Sequence, residues 1–215
     1  MIILKLAKFL RNLLLIFLLI TLITPLGSIS HAMSLEENIH YEVIVPPVPQ
    51  PGIKPTIVEV FNFKCPHCLT LHYSMEKWSA INNSKYNITS LPIYWGKQTD
   101  MPIRAYFAAK FLGKGDLMKD AIFKAHFENS VNIESSDELG FLSEEIGLDP
   151  EKFKAYLGSF GVSAKIAQAN EQQRGFVVHS TPTLVVNGKY RVSFGKHADG
   201  NAKKLFKIVE TLAAR

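Results

Sequence analysis

Residues 56–81 read Thr-Ile-Val-Glu-Val-Phe-Asn-Phe-Lys-Cys-Pro-His-Cys-Leu-Thr-Leu-His-Tyr-Ser-Met-Glu-Lys-Trp-Ser-Ala-Ile, and this stretch decides the fold class. Thr56 to Phe61 is β-branched and nearly all apolar, the pattern of a buried strand with a parallel neighbour. From Leu69 to Ile81 the pattern turns helical, with Leu71, Met75 and Trp78 at helical spacing. Between the two lies Cys65-Pro66-His67-Cys68. Pro66 has no N–H to lose in the first turn of a helix, and its φ already suits that position. Cys65 therefore falls at the helix N-terminus, where unpaired N–H groups and the macrodipole favour a negative sulfur. A protonated His67 adds a second favourable term. The thiolate is the reactive form of cysteine, so Cys65 becomes both a nucleophile and a good leaving group. Cys68, one turn in, is close enough to attack it.

These are the only two cysteines of the 215 residues, which excludes a disulfide-rich scaffold and a four-cysteine metal site. Three other uses of the pair compete with redox chemistry. A zinc site would draw on Cys65, Cys68, His67 and His72, but CxxC is half a site and no second pair follows. Haem attachment needs histidine directly after the second cysteine, where Leu69 stands. A purely structural disulfide over so short a loop would remove little entropy from the unfolded chain. The strand–CxxC–helix setting favours the redox reading, with no metal and no cofactor.

Upstream, Tyr41 to Val45 reads as a short strand, and Pro46 to Gly52 as a stiff proline-rich connector that no sheet interior accepts. Lys5, Lys8 and Arg11, the apolar run Leu13–Thr24, and Ser30-His31-Ala32 form the three parts of an export signal over residues 1–32. The apolar run is short of the roughly 20 residues that span a bilayer, though a retained anchor is the alternative. Either way the folded part lies outside the reducing cytosol, where a cysteine pair is free to oxidise. The net charge of +5 owes three cations to this leader; the remainder holds 21 basic against 19 acidic residues. That balance carries no electrostatic footprint for nucleic acid.

Downstream, Ser90 to Trp95 is a second strand candidate. Then Met101–Leu112, Asp116–Phe127, Ser136–Ile146, Pro150–Leu157 and Val162–Gln173 all read helical. Ser135 ahead of Glu138, and Asp149 ahead of Pro150, mark helix starts. Strand signals return at Thr183–Val186 and Lys189–Val192. Asn187-Gly188 between them is a strong hairpin signal, because a type I′ turn needs positive φ twice. Ala198–Ala214 closes the chain as a helix with Leu205, Ile208, Val209 and Leu212 on one side. His72 reads as a helix-surface residue, and Leu69, Tyr73, Phe176 and Val178 as candidates for an apolar rim.

Phe63-Lys64-Cys65-Pro66-His67-Cys68 together with Ser180-Thr181-Pro182-Thr183-Leu184-Val185-Val186-Asn187-Gly188-Lys189-Tyr190 resembles the DsbA-like family of bacterial thiol:disulfide oxidases, within the thioredoxin superfamily. The resemblance runs from about Tyr41 to the C-terminus, because these proteins also insert a helical domain at this point. It implies an α/β thioredoxin fold with an inserted helical domain. Residues 33–99 and 175–215 would make the thioredoxin-like domain and 100–174 the insert. It makes Cys65 the exposed attacking thiolate and Cys68 the buried resolving one of a redox-active disulfide, with Pro66 and His67 between them. Pro182 matches the family's cis-proline beside the CxxC loop. Thr181 is the variable residue facing that loop, and its backbone would hydrogen-bond an extended substrate. Glu59, six residues before Cys65, stands where the family has a buried acid beneath the disulfide, a candidate proton shuttle for Cys68. Well-studied members pair this acid with a lysine on the next strand. Here Thr89 to Trp95 has none, and Lys85 is off register.

The function so implied is donation of the disulfide to reduced, exported polypeptides, with reoxidation by a DsbB-like membrane partner that passes electrons to quinone. The alternatives are an isomerase or reductase using the same dithiol, or a redox-inactive, chaperone-like binding module.

Overall fold

The computed structural model describes residues 34–215, so the expected leader over 1–32 lies outside the described residues. Among the described residues, no helix is long and apolar enough to cross a membrane. The chain runs β1 (Glu42–Val43), β2 (Thr56–Phe61), α1 (Pro66–Asn82) and β3 (Asn87–Pro92). Five helices follow: α2 (Met101–Phe111), α3 (Gly115–Phe127), α4 (Ser136–Glu145), α5 (Pro150–Leu157) and α6 (Phe160–Phe176). The chain then returns through β4 (Thr183–Val186), β5 (Tyr190–Ser193) and α7 (Ala202–Ala213).

The five strands form one mixed sheet in the order β1-β5-β4-β2-β3. β2 runs parallel to β3 and antiparallel to β4, so the strand carrying Glu59 lies inside the sheet and is buried along its whole length. Alternation along each strand sorts the side chains into two cores. Ile57, Leu184, Val186 and Val192 face α1 and α7, through Leu71, Met75, Trp78, Leu205 and Ile208. Val58, Val60, Leu91 and Val185 face the other way, into a core shared with the helices between β3 and β4. This is a thioredoxin fold with the helical segment packed on one sheet face.

Local chemistry accounts for most boundaries. Ser135 Oγ accepts the Glu138 N–H at 3.4 Å and Asp149 Oδ1 that of Lys152 at 2.9 Å, so both caps start helices as read. Two starts were missed although their caps stand in the sequence. Ser159 Oγ accepts the Val162 N–H at 3.2 Å, which begins α6 at Phe160. Asn201 Oδ1 accepts the Lys204 N–H at 3.0 Å, which begins α7 at Ala202 rather than Ala198. β3 covers Asn87–Pro92, three residues ahead of the Ser90–Trp95 expectation. Its register pairs Thr56 with Asn87 and Phe61 with Pro92, and one bond beyond the proline, from the Ile93 N–H to Phe61 O at 2.8 Å, closes the pairing. Strand β1 is shorter than Tyr41–Val45, although the Ile44 N–H still reaches Lys189 O at 2.8 Å.

The Asn187-Gly188 hairpin forms as read, with φ of 53° and 63°. Gly188 carries a second demand, because the proline-rich connector crosses it: a Cβ there would lie 1.9 Å from Val48 O. The Val48 N–H donates to Gly188 O at 2.9 Å across the same crossing. Gly188→Ala therefore meets both a left-handed backbone and a backbone clash, and should cost on the order of 3 kcal/mol in denaturant unfolding. A loss below about 0.5 kcal/mol would place the connector elsewhere.

Candidate active site

Cys65 is the N-cap of α1, with Pro66 at the first helical position and no acidic side chain in the first turn to neutralise the helix dipole. The Cys68 and Leu69 N–H groups donate to Cys65 O at 3.0 and 3.3 Å, which closes the first turn around the sulfurs. Cys65 is partly exposed and Cys68 is 0% exposed, and both are free thiols. The thiol of Cys65 lies 3.3 Å from the Thr181 carbonyl oxygen, across the sheet end from β4. The Thr181–Pro182 bond is cis, with Pro182 buried and Thr181 half-buried. Residues 116 positions apart thus meet over the dithiol.

The Cys65 thiol is brought down from an ordinary 9.0 to about 5. The Cys68 thiol, which hydrogen-bonds the Cys65 sulfur, is the largest cause. The Thr181 side chain and the backbone N–H groups of Cys68 and His67 add to it, against the opposing effect of burial. His67 thus contributes through its backbone, and its side chain points into solvent as an exposed residue. The expected electrostatic help from a protonated imidazole ranks behind these hydrogen bonds. Cys68 moves the other way. Burial pushes its thiol well above the ordinary range, and the neighbouring Cys65 adds to the rise. The Asn62 N–H, at 3.4 Å from Cys68 Sγ, favours its thiolate from the backbone.

Asn62 was not singled out in the sequence. Its Nδ2 donates to Ile93 O at 2.9 Å and Gln98 Oε1 at 2.7 Å, and its Oδ1 accepts the Lys64 N–H at 2.8 Å. Those three bonds hold the turn that delivers Cys65 from β2 to α1. Its only signal was an asparagine breaking the apolar run after Phe61.

Glu59 is 2% exposed on the interior strand. The register partner on β3 is Ser90, whose Oγ donates to Glu59 Oε2 at 3.0 Å. The missing lysine comes from elsewhere: Lys119 of α3, itself 5% exposed, places its Nζ 2.6 Å from the same oxygen and 4.3 Å from the centre of the Phe61 ring. Lys119 shares a side of α3 with Ile122 and Phe123, so a lysine on an apolar stripe was the available signal. No hydrogen bond joins Glu59 to Cys68 among those of the described residues. Lys119→Met leaves a buried carboxylate without its cation, and should cost about 3–5 kcal/mol in denaturant unfolding. Adding Glu59→Gln should recover most of that loss; a single variant as stable as the parent would mean the pair is solvated.

The remaining candidates sort plainly. His72 is buried, not on the helix surface, with Nε2 3.4 Å from Asp120 Oδ1 and its ring against Phe123. Phe176 and Val178 belong to the core, while Leu69 is half-buried and Tyr73 exposed. Among the described residues, no group of three or more His, Cys, Asp or Glu is placed to hold a metal ion.

A family model described as DSBA-like thioredoxin domain matches residues 56–205. Thiol:disulfide interchange protein DsbA of Pseudomonas aeruginosa is 27% identical over 166 residues, 77% of either chain. The protein of the same name from Pseudomonas syringae pv. tomato is 26% identical over 77% of this chain and 76% of its own. Among solved structures, oxidoreductase DsbA from Xylella fastidiosa has a TM-score of 0.75 at 29% identity, over 86% of this chain and 98% of that one. The crystal structure of Pseudomonas aeruginosa DsbA has a TM-score of 0.75 at 26% identity, over 84% of this chain and 93% of that one.

Proposed function

The chain belongs to the family of DSBA-like thioredoxin domains, and from that membership we propose that it is a thiol:disulfide oxidoreductase that donates its Cys65–Cys68 disulfide to reduced, exported polypeptides. One observation carries the direction of the reaction: a partly exposed Cys65 with a lowered thiol pKa stands beside a fully buried Cys68 whose thiol pKa is raised.

A substrate thiolate attacks the exposed Cys65 sulfur of the disulfide. The Cys65–Cys68 bond breaks, its electron pair leaves on Cys68, and the raised pKa there draws a proton. A second substrate thiolate then attacks the substrate sulfur of the mixed disulfide. Cys65 leaves as a thiolate, which its lowered pKa makes easy. The substrate has lost two electrons and two protons; the protein keeps the electrons as a Cys65 thiolate and a Cys68 thiol, and the second proton goes to solvent. Thr181 and Pro182 are the proposed docking turn, where the substrate backbone lies across from Cys65. Pro66 and His67 shape the first turn, and Glu59, anchored by Lys119 and Ser90, is the proposed relay for the Cys68 proton. Residues 100–174 are proposed as the inserted domain, between the 33–99 and 175–215 portions of the thioredoxin-like domain. The protein would act in the periplasm, where a DsbB-like membrane partner would pass the two electrons to quinone and restore the disulfide.

Equilibration against glutathione buffers tests the assignment. The expected potential lies well above the roughly −270 mV of thioredoxin. A value near thioredoxin's would make the same dithiol a reductase or isomerase.

A further inference from the structure

Beside the Thr181–Pro182 turn lies a pocket of about 160 Å³. Ser180 and Thr183 bring the two ends of that turn into its wall, and Glu42, His179, Arg191, Ser193, Lys196 and His197 complete it. His197 is 1% exposed. Its Nδ1 accepts the backbone N–H of Ser193 at 2.9 Å, so in the neutral ring the proton sits on Nε2. Burial pushes this imidazole down, which keeps it neutral. Nε2 is buried and has no hydrogen-bond partner among the described residues. A buried N–H without an acceptor is costly for a fold to keep, and an acceptor from outside the chain removes that cost.

The carboxylate already in the wall is committed. Glu42 is bound by Arg191 Nε on one oxygen and Lys196 Nζ on the other, and these cations, Lys196 first, hold its carboxyl at about 2. Two cations against one carboxylate leave the wall one charge positive. The volume is several times the roughly 30 Å³ share of a water molecule, room for a carboxylate on a short stem.

We propose that this pocket is a subsite for an acidic side chain of the polypeptide joined to Cys65, its carboxylate taking the Nε2–H of His197 and facing Arg191 and Lys196. The proposal rests on the oxidoreductase reading above and names the substrate feature that its docking turn selects. Cys65 touches Thr181 itself, and Ser180 and Thr183 are one and two residues away. An extended chain rises about 3.3 Å per residue, so an acid within about three residues of the substrate cysteine reaches the pocket. An apolar or basic side chain in the same place leaves the buried N–H unsatisfied or meets the excess positive charge.

The test uses the oxidised protein and fluorescent dithiol peptides that differ only in carrying Glu or Lys one, two or three residues from the attacking cysteine. At low salt, kcat/KM for the best Glu peptide should exceed that of its Lys counterpart about tenfold, and the ratio should shrink with added salt. His197→Leu and Lys196→Ala should each bring the ratio to about threefold or less. Lys196 is exposed, so its variant reports even where the buried replacement fails to fold. Equal Glu and Lys rates in the parent, or a ratio untouched by Lys196→Ala, overturns the subsite while the oxidoreductase reading stands. Failure to oxidise any peptide overturns that reading and the subsite with it.

Discussion

Cys65→Ser should abolish disulfide exchange, with a loss of at least about a thousandfold, whereas Cys68→Ser should accumulate as mixed disulfides with its polypeptide substrates. The asymmetry follows from burial and not from chemical identity, since both residues are cysteines. Cys65 alone is open to an incoming thiolate, and it alone lies against the Thr181 carbonyl where a substrate backbone would run. Cys68 sits with zero exposure behind it, so it can meet only the sulfur that Cys65 already holds. Serine at Cys65 removes the sole sulfur a substrate reaches. Serine at Cys68 leaves the mixed disulfide intact and removes the group that resolves it from within. Non-reducing electrophoresis after incubation with an unfolded protein that carries a disulfide, which the Cys65 thiolate opens with release of one substrate thiol, separates the two outcomes. Trapping by Cys65→Ser instead would reverse the two roles.

The second large effect is on stability, and its sign is opposite to that of an ordinary disulfide. In the dithiol form the Cys65 thiol titrates near 5 against an ordinary 9.0. A depressed folded pKa contributes stability that is complete above the unfolded value and is lost as pH falls through the folded one. The reduced protein should therefore gain on the oxidised one from about pH 5 up to about pH 9 and lose the gain below about pH 5. Water reaches the half-exposed sulfur and screens it, so about 3 kcal/mol of the shift survives as stability at the alkaline end. A disulfide that closes so short a loop returns about 2 kcal/mol of loop entropy to the oxidised form. The reduced form is thus the more stable above neutral pH. Denaturant unfolding of both redox forms on either side of that window, at about pH 4.5 and about pH 8.5, with thiolate absorbance followed between them, measures the gap and the titration together. A gap independent of pH, with Cys65 titrating near its ordinary value, would remove the driving force for oxidation and favour the reductase.

The parts legible in the sequence are those whose physics is local. A six-residue β-branched run made β2 at its expected bounds, and two polar caps opened α4 and α5 where Ser135 and Asp149 stand. The Asn187-Gly188 turn supplied its own positive φ values. Pro66 put the helix start at Cys65, so the reactive sulfur and its helix terminus were set by four consecutive residues. Each of these depends on neighbours within about one turn, which any reader of the chain can see.

What required the folded chain is what depends on residues far apart. Thr181 meets Cys65 only because β4 pairs beside β2 in the sheet. The partner of Glu59 is Lys119, sixty positions on and on a helix of the inserted segment, while the strand position opposite Glu59 is held by Ser90. His72 looked like a surface residue because helical spacing alone cannot tell that α3 would cover it. The split between the two cysteines likewise arises from packing, since it is the core around Cys68 that raises one thiol and leaves the other to the hydrogen bonds that lower it. Local pattern determined the elements and the reactive tetrapeptide; tertiary structure decided the charges and exposures around it, because desolvation and ion pairing act through space and not along the chain.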